Sequence, residues 1–223
     1  MSDTLKISAL LDLSHTQAAE FLARFTYPWE ALPEIGAAIR ALGAGLSAAE
    51  YDQPRPGVWI AKSATVAPTA FIGDNTIIGP ETEVRHGAFI RGNALVGAGV
   101  VVGNSVELKN VILFDKVQVP HYNYVGDSIL GYRSHMGAGS ITSNVKSDKT
   151  LVTVRCGEEK IETGLKKFGA ILGDLVEVGC NSVLNPGTVI GRDANVYPLS
   201  SVRGTIPAEH IFKAAGNVVA KRK

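Results

Sequence analysis

The sequence predicts a mainly β fold, a solenoid of short strands that follows an N-terminal helical segment. Aliphatic residues recur every six positions from Ile60 to Leu108 without a miss, and glycine follows several of them, as at Gly73 and Gly97. A period of six fits neither an α-helix nor a two-sided strand. It fits strands wound into a coil in which glycine eases the tight corners.

Length and composition exclude several classes of protein. The chain has 223 residues and a formal net charge of +1, so nothing global favours a nucleic-acid or membrane partner. The sequence has no apolar run of membrane-spanning length, and its beginning lacks the pattern of a signal peptide. Cys156 and Cys180 are isolated, without metal-binding or disulfide spacing. We therefore expect a cytoplasmic protein with free thiols and no bound metal.

Residues 1–57 are expected to form the helical segment. Ser14 and Gln17 have the spacing of a capping box, and apolar residues at helical spacing follow them. A second apolar stripe begins after Pro28, which suits the first turn of a helix, and stops at Gly43. The run QPRPG then breaks any helix and marks the end of the segment.

Residues 58–207 carry the six-residue repeat. Small or β-branched residues lie two positions before each key aliphatic, so both side chains are expected to point inward. Stacked coils satisfy each other's backbone groups at strand spacing, which allows a narrow core. The repeat continues past Leu108 with two five-residue steps, stops after Thr142 and resumes at Leu172.

One long loop excursion, residues 143–168, interrupts the repeat. Its sequence TLVTVRCGEEKIET predicts two short strands around a glycine turn. Long loops in compact domains are usually functional or disordered, so we favour a functional role for this one. A decorative surface hairpin is the alternative.

The aliphatic–glycine hexads, as in IGDNTIIGP and VGAGVVVGN, resemble those of the bacterial hexapeptide transferases. This resemblance implies a left-handed parallel β-helix with three hexads per coil, against the usual right-handed crossover rule. It also implies a homotrimer with its sites in clefts between subunits. The stretch IPAEHIFKAAGN resembles the cap that ends many of these proteins, so residues 208–223 are expected to form a C-terminal cap and a solvated basic tail.

Residues 91–173 resemble the acetyltransferase half of the bifunctional glucosamine-1-phosphate acetyltransferase / N-acetylglucosamine-1-phosphate uridylyltransferase. The resemblance is carried by RGNALVGAGVVVGNSVELKN, VPHYNYVGDS, HMGAGSITSN and KKFGAILGD, which keep the mutual spacing of several chemical residues. It implies that His121 is the catalytic base. The resemblance also implies six substrate contacts, which are Arg91, Lys109, Tyr124, His135, Asn144 and Lys167. At His135 the family usually has Asn.

The chain departs from that family's pattern in three places. Besides His135, it has Val145 where the family has Tyr, and the loop between Asn144 and Lys167 is longer. These changes affect the expected sugar acceptor more than the acyl-transfer chemistry. Nothing in residues 1–57 resembles the glycine-rich phosphate loop of the uridylyltransferase half, so this chain alone is not expected to make a sugar nucleotide.

The expected reaction is acyl transfer from acetyl-CoA to the amine of an amino-sugar phosphate or a sugar nucleotide. A histidine suits the base because its ordinary pKa is about 6.5. Arg91 offers a planar fork for a phosphate, and the lysines offer point charges. Backbone amides in the run GAGS can bind the acyl donor and stabilise the thioester oxyanion, so the cofactor-binding residues are expected to be Gly137, Ala138 and Gly139.

Spacing gives an independent reason to consider a phosphate site. Arg91 and Lys109 are eighteen residues apart, and each follows a key aliphatic. With three hexads per coil, they stack on one face about 5 Å apart. Two cations this close repel unless an anion lies near them, although two solvated charges are the alternative. His121 belongs to a different face, so a corner, the long loop or a neighbouring subunit must bring it to the cations.

Two other functions stay open. His86, His121 and His135 invite comparison with γ-type carbonic anhydrases, which bind zinc through three histidines, but that family's His-x4-His pair does not occur here. The other is a non-catalytic solenoid that binds a sugar nucleotide, or a partner subunit of a separate nucleotidyltransferase.

Overall fold

The computed structural model describes residues 2–222, and its helices all lie near the N-terminus. The stripe predicted after Pro28 forms a 3-10 turn that continues into a helix ending one residue past Gly43. The helical elements are the 3-10 turns Ser2–Leu5, Leu13–His15 and Pro28–Glu34, and the α-helices α1 (Ile7–Leu10), α2 (Ala19–Leu22) and α3 (Ile35–Ala44). No helix in residues 2–222 has both the length and the apolar character needed to cross a bilayer.

The capping box predicted at Ser14 is wrong. Ser14 lies inside the 3-10 turn Leu13–His15, where its N–H and its hydroxyl both donate to the carboxylate of Asp12. The side chain of Gln17 donates to the hydroxyl of Tyr51 at 2.6 Å instead. Asp caps a helical turn as well as Ser does, and Asp12 starts the turn two residues earlier.

The strands are short, and most of them pair in parallel. Numbered along the chain they are β1 (Tyr51–Arg55), β2 (Val58–Ala61), β3 (Thr65–Val66), β4 (Phe71–Ile72), β5 (Thr76–Ile78), β6 (Glu83–Val84), β7 (Phe89–Ile90), β8 (Ala94–Val96), β9 (Val101–Asn104), β10 (Glu107–Leu113), β11 (Gln118–His121), β12 (Tyr124–Leu130), β13 (His135–Met136), β14 (Ile141–Thr142), β15 (Thr153–Cys156), β16 (Glu159–Glu162), β17 (Ala170–Leu172), β18 (Glu177–Val178), β19 (Val183–Leu184), β20 (Thr188–Ile190), β21 (Asn195–Val196), β22 (Ser201–Val202), β23 (Thr205–Ile206), β24 (His210–Ala214) and β25 (Asn217–Ala220).

These strands wind into a solenoid with three faces. The first face contains β2, β5, β8, β17, β20 and β23, with the later halves of β10 and β12. The second contains β3, β6, β9, β11, β13, β18, β21 and β24. The third contains β4, β7, β14, β19 and β22, with the earlier halves of β10 and β12. The predicted mainly β solenoid is confirmed, and it is consistent with the left-handed β-helix of hexapeptide-repeat proteins.

Strand register explains the repeat. Ile60 pairs with Ile78, eighteen residues on, whereas Leu108 pairs with Val125, because the five-residue step shortens that coil. The key aliphatics from Ile78 onward are buried, as expected for inward-pointing side chains. The sequence period therefore sets both the strand pairing and the core.

The excursion forms the predicted hairpin, with β15 antiparallel to β16 around Gly157. Val152 and Val154 are fully buried, so one side of the hairpin packs on the solenoid. A Cβ on Gly187, which has φ +81°, would lie 2.8 Å from the carbonyl oxygen of Thr153. The hairpin backbone thus rests directly on a solenoid corner.

The chain also ends in a hairpin. Strand β24 pairs in parallel with β21, and β25 pairs antiparallel with β24. Lys221 of the basic tail forms an ion pair of 2.7 Å with Asp193, so the expectation of a solvated tail is wrong at this residue. Met1 and Lys223, the last residue of that tail, lie outside the described residues.

Candidate functional site

A row of asparagines lines the corner between the third and first faces, which we call the asparagine corner. Asn75, Asn93, Asn110 and Asp127 occupy it in successive coils, all with φ between +47° and +55°. Asn and Asp tolerate this left-handed conformation better than most residues. Asn75 Nδ2 donates to Asn93 Oδ1, and Asn110 Nδ2 donates to Asp127 Oδ1, both at 3.1 Å. The row therefore ends at a carboxylate.

Asp127 is the centre of the site, although sequence reasoning did not select it. Its side chain is only 5% exposed and accepts from Lys109 Nζ at 2.8 Å and from Asn110 Nδ2 at 3.1 Å. Asn144 Nδ2 donates to its second oxygen at 2.5 Å. A buried carboxylate is tolerated when it is paired and hydrogen-bonded in this way. Asp127 thus holds two predicted substrate contacts, Lys109 and Asn144, in fixed positions.

Tyr124 joins the same network from the third face. Its hydroxyl accepts from Asn144 Nδ2 at 3.1 Å. Burial raises the pKa of the phenol, and the negative charges of Asp127 and Glu107 raise it further. Tyr124 is therefore neutral near pH 7, and its O–H is available as a donor.

Arg91 and Lys109 lie in neighbouring coils, as their spacing predicts, because the N–H of Arg91 donates to the carbonyl of Leu108. Each cation already has a carboxylate partner: Arg91 Nη1 is 2.9 Å from Glu107 Oε1, and Lys109 pairs with Asp127. These carboxylates offset the repulsion between the two cations. The repulsion argument therefore does not require a bound phosphate, and phosphate binding here stays a prediction.

His121 is exposed at the end of β11, on the second face, where it turns into the third. The backbone N–H of His121 donates to Asn123 Oδ1 at 3.2 Å. The buried Asn123 Nδ2 donates to the carbonyls of Gly137 and Ser140, which links this corner to the coil above. His121 thus lies on a different face from Lys109, as predicted, but at the edge of the face that carries Tyr124.

The candidate cofactor residues lie in the coil next to His121. Gly139 N–H donates to the carbonyl of His121 at 3.0 Å, and Gly137 N–H donates to the carbonyl of Val178 at 2.7 Å. Within residues 2–222, Ala138 is the one of the three whose amide has no hydrogen-bond acceptor. Only this amide is free to bind a developing oxyanion.

The third face separates His121 from the Asp127 network. The segment from Asn123 to Asp127 crosses it, and its four residue steps span about 13 Å at ~3.3 Å per step. His121 therefore lies at one edge of the face, and Lys109, Asp127 and Asn144 lie at the other.

The two remaining predicted substrate contacts, Lys167 and His135, lie in different parts of the solenoid. Lys167 is exposed and sits beside Asn144, since the N–H of the next residue, Phe168, donates to the Asn144 carbonyl at 3.0 Å. His135 lies on the second face, where its Nδ1 is 2.8 Å from Glu177 Oε2. The structure thus brings Lys167 to the asparagine corner and leaves His135 away from it.

The N-terminal segment and the end of the excursion also meet at this corner. The Asn110 side chain donates to the carbonyl of Leu32 at 3.1 Å, and the ring of Trp29 stacks on that of Phe168 with centroids 5.9 Å apart. A Cβ on Gly36 would lie 2.6 Å from Asn93 Oδ1, so α3 packs tightly there. The N-terminal segment and the end of the excursion thus buttress the Asp127 network.

Metal ligation has no geometric support in the described part of the chain. No three His, Cys, Asp or Glu side chains of residues 2–222 are grouped so that they could hold a metal ion.

Comparison with known proteins gives related matches. A family model described as the GMPPB C-terminal domain matches residues 80–211. A bifunctional sugar-1-phosphate nucleotidylyltransferase/acetyltransferase of Sulfurisphaera tokodaii is 33% identical over 108 residues, covering 48% of this chain and 27% of that protein. Bifunctional protein GlmU of Methanococcus aeolicus is 32% identical over 117 residues, covering 52% and 28%. The chain spans little more than a quarter of the length of these curated relatives.

Among solved structures, the fold is similar to a hexapeptide transferase family protein from Anaplasma phagocytophilum. The identity is 14%, the match covers 74% of this chain and 80% of that one, and the TM-score is 0.43. The sequence matches agree with the resemblance carried by residues 91–173.

Proposed function

The chain belongs to the GMPPB C-terminal domain family, and from this premise we propose that it is a coenzyme A-dependent N-acyltransferase. The acyl donor is acetyl-CoA, and the acceptor is the amine of a phosphorylated or nucleotide-linked amino sugar. Relatives whose names include an acetyltransferase support the reaction class. The observation that carries the proposal is the third face itself, with an exposed histidine at one edge and the Lys109–Asp127–Asn144 network at the other.

His121 acts as the general base. Its imidazole accepts a proton from the acceptor amine as the nitrogen attacks the thioester carbon, and the coenzyme A thiolate leaves and takes up a proton. The carbonyl oxygen carries negative charge in the intermediate. The N–H of Ala138, one coil away and without an acceptor in residues 2–222, stabilises that charge in the proposed mechanism.

The cations and neutral donors position the acceptor. Lys167 is exposed beside Asn144 and forms no ion pair within residues 2–222, so it can bind a phosphate directly. Arg91 and Lys109 stay paired with their carboxylates. They therefore contribute to the local electric field and the shape of the acceptor site more than an unpaired positive charge. Tyr124 donates a neutral hydrogen bond to the sugar or its phosphate.

The working assembly is a homotrimer in which a neighbouring copy closes the third face into a cleft. A closed cleft excludes water and strengthens each polar contact with the substrate. Light scattering of the purified chain is expected to give three times the monomer mass, and a monomeric mass would contradict this part of the proposal.

The test of function is release of free thiol from acetyl-CoA with a panel of amino-sugar phosphates and sugar nucleotides. We expect His121→Ala to slow release by about 100-fold or more, because general-base catalysis contributes at least that much. The matched control is His86→Ala. His86 is also exposed, lies at the same corner two coils away and is hydrogen-bonded to Thr69, so its loss should leave the rate unchanged.

Other outcomes assign other functions. Binding of a sugar nucleotide without thiol release from any acceptor would favour a non-catalytic solenoid or a partner subunit of a nucleotidyltransferase. Activity of His121→Ala within a few-fold of the parent protein would remove the general-base assignment.

A further inference from the structure

A cleft of about 360 Å³ lies between the excursion and the third face. The solenoid contributes Ser143, Asn185 and Arg203 to its wall, and strand β15 contributes Thr153 and Arg155. The cleft lies within the size range of small-molecule sites. None of the predicted substrate or cofactor residues lines it.

The packing of the hairpin determines which side chains face the cleft. Side chains alternate along β15, so burial of Val154 directs its neighbours Thr153 and Arg155 to the other side. The backbone of Arg155 is fixed against the solenoid, since a Cβ on Gly204 would lie 3.0 Å from its carbonyl oxygen. Two arginines from distant parts of the sequence, Arg155 and Arg203, are thereby held at one cleft.

These two guanidinium groups are not paired with a counter-charge in the described part of the chain. Neither forms an ion pair with a carboxylate anywhere in residues 2–222, in contrast to Arg91 and Lys109. Arg155 also lies directly opposite Lys160 in the hairpin, where like charges are unfavourable. Lys146 and Asp148 line the cleft too, and because they are 3.5 Å apart their charges offset each other. The cleft therefore has an excess of positive charge that no ion pair within residues 2–222 neutralises.

The cleft adjoins the proposed active site. Ser143 and Val145, the neighbours of Asn144, both line it. Ser143, Asn185 and Arg203 directly follow β14, β19 and β22, which pair in register, so they form one column on the third face. A ligand that contacts Asn144 can extend along this column towards Arg203 without leaving the face.

We propose that this cleft binds the diphosphate group of a nucleotide, so that the acceptor is a nucleotide-linked amino sugar rather than an amino-sugar monophosphate. This inference rests on the proposed function for the identity of the acceptor, but not for the binding itself. A guanidinium fork binds phosphate oxygens bidentately, and two forks suit two linked phosphates. A monophosphate held at Lys167 leaves both arginines without an anion.

The test is isothermal titration of the full chain with pyrophosphate, UDP, GDP and coenzyme A. We expect pyrophosphate and at least one nucleoside diphosphate to bind, and Arg155→Gln and Arg203→Gln each to weaken that binding by about tenfold or more. The matched control is Arg133→Gln. Arg133 is an exposed arginine at a different corner, without an ion pair in the described residues, and its loss should change affinity less than twofold.

Three results would overturn the inference. They are absence of pyrophosphate and nucleoside diphosphate binding, equal weakening by the control variant, and coenzyme A as the only ligand that the two cleft variants weaken. The last would assign the cleft to the acyl donor. Failure of the proposed function is distinguishable, because His121→Ala should bind these ligands like the parent protein whether or not the chain transfers an acyl group.

Discussion

Replacing Asp127 by asparagine is the sharpest test of the site's architecture. The substitution keeps the size of the side chain and removes its charge. Lys109 then loses its ion-pair partner. The amide offers one acceptor oxygen to three donors, on Lys109, Asn110 and Asn144, that previously shared two carboxylate oxygens. An amide oxygen can still accept from one or two of these groups. At least one donor, on Lys109, Asn110 or Asn144, is left without its acceptor.

The magnitude follows from burial. Removing one partner of a buried ion pair costs about 3–5 kcal/mol. Asp127 is 5% exposed, but Lys109 is 26% exposed, so water can partly solvate the unpaired ammonium group. We therefore expect Asp127→Asn to lower the free energy of unfolding by about 2–3 kcal/mol, below the fully buried case.

Urea denaturation measures this change, provided that the dependence on denaturant is the same in both proteins. The matched control is Asp193→Asn, which removes the partner of Lys221 at a carboxylate that is 50% exposed. Surface pairs contribute about 0–1 kcal/mol, so the control should fall in that range. In a Lys109→Met background the loss from Asp127→Asn should shrink by about 1 kcal/mol or more, because contacting residues are coupled.

A loss below about 0.5 kcal/mol, or one equal to that of Asp193→Asn, would refute the reasoning, since surface substitutions lie within that range. Asp127 would then be an exposed carboxylate in solution and would not organise Lys109 and Asn144.

Two further outcomes test the surroundings of the site. The pKa of Tyr124 should lie above the ordinary value of about 10, so the phenol ionises later in the folded than in the unfolded protein, and stability should fall only as pH rises above ~10. The ultraviolet titration difference between the parent protein and Tyr124→Phe measures this, and a midpoint below 10 would contradict it. Gly187→Ala should lower the free energy of unfolding by about 1–3 kcal/mol and expose the hairpin to protease, because the new Cβ meets Thr153 at φ +81°. Gly216→Ala, at φ +76° with no atom near the added Cβ, carries the backbone strain alone, so equal losses from the two would argue against the hairpin contact.

The periodic part of the fold could be predicted because its signal is local. Each key aliphatic, such as Ile78, is buried for the same reason as the next, and strand register follows from the count of residues per coil. The hairpin at Gly157 was likewise predictable from its own short sequence. The cap at Asp12 was missed because two neighbouring residues, Asp12 and Ser14, both had the chemistry of a cap.

The centre of the site was harder to find in the sequence. Asp127 belongs to a row whose other members are asparagines spaced eighteen or seventeen residues apart, and that spacing is a signal that could have selected it. The ion pair between Arg91 and Glu107 links two coils, and no local sequence pattern predicts it. The position of the excursion depends on contacts of Gly187 with a hairpin more than thirty residues earlier, which periodicity does not encode.

The packing of the N-terminal helices affects which coils of the solenoid unfold locally. Coils of a solenoid contact only their neighbours, so an uncovered solenoid frays from its ends one coil at a time. Here Gly36, Leu32 and Trp29 touch Asn93, Asn110 and Phe168, residues of different coils. Because the helices bridge these coils, one coil cannot open without also breaking the contacts that the helices make with the other coils. Amide hydrogen exchange should therefore be slowest in the middle coils, which behave as one cooperative unit around the site, while the last coils exchange first.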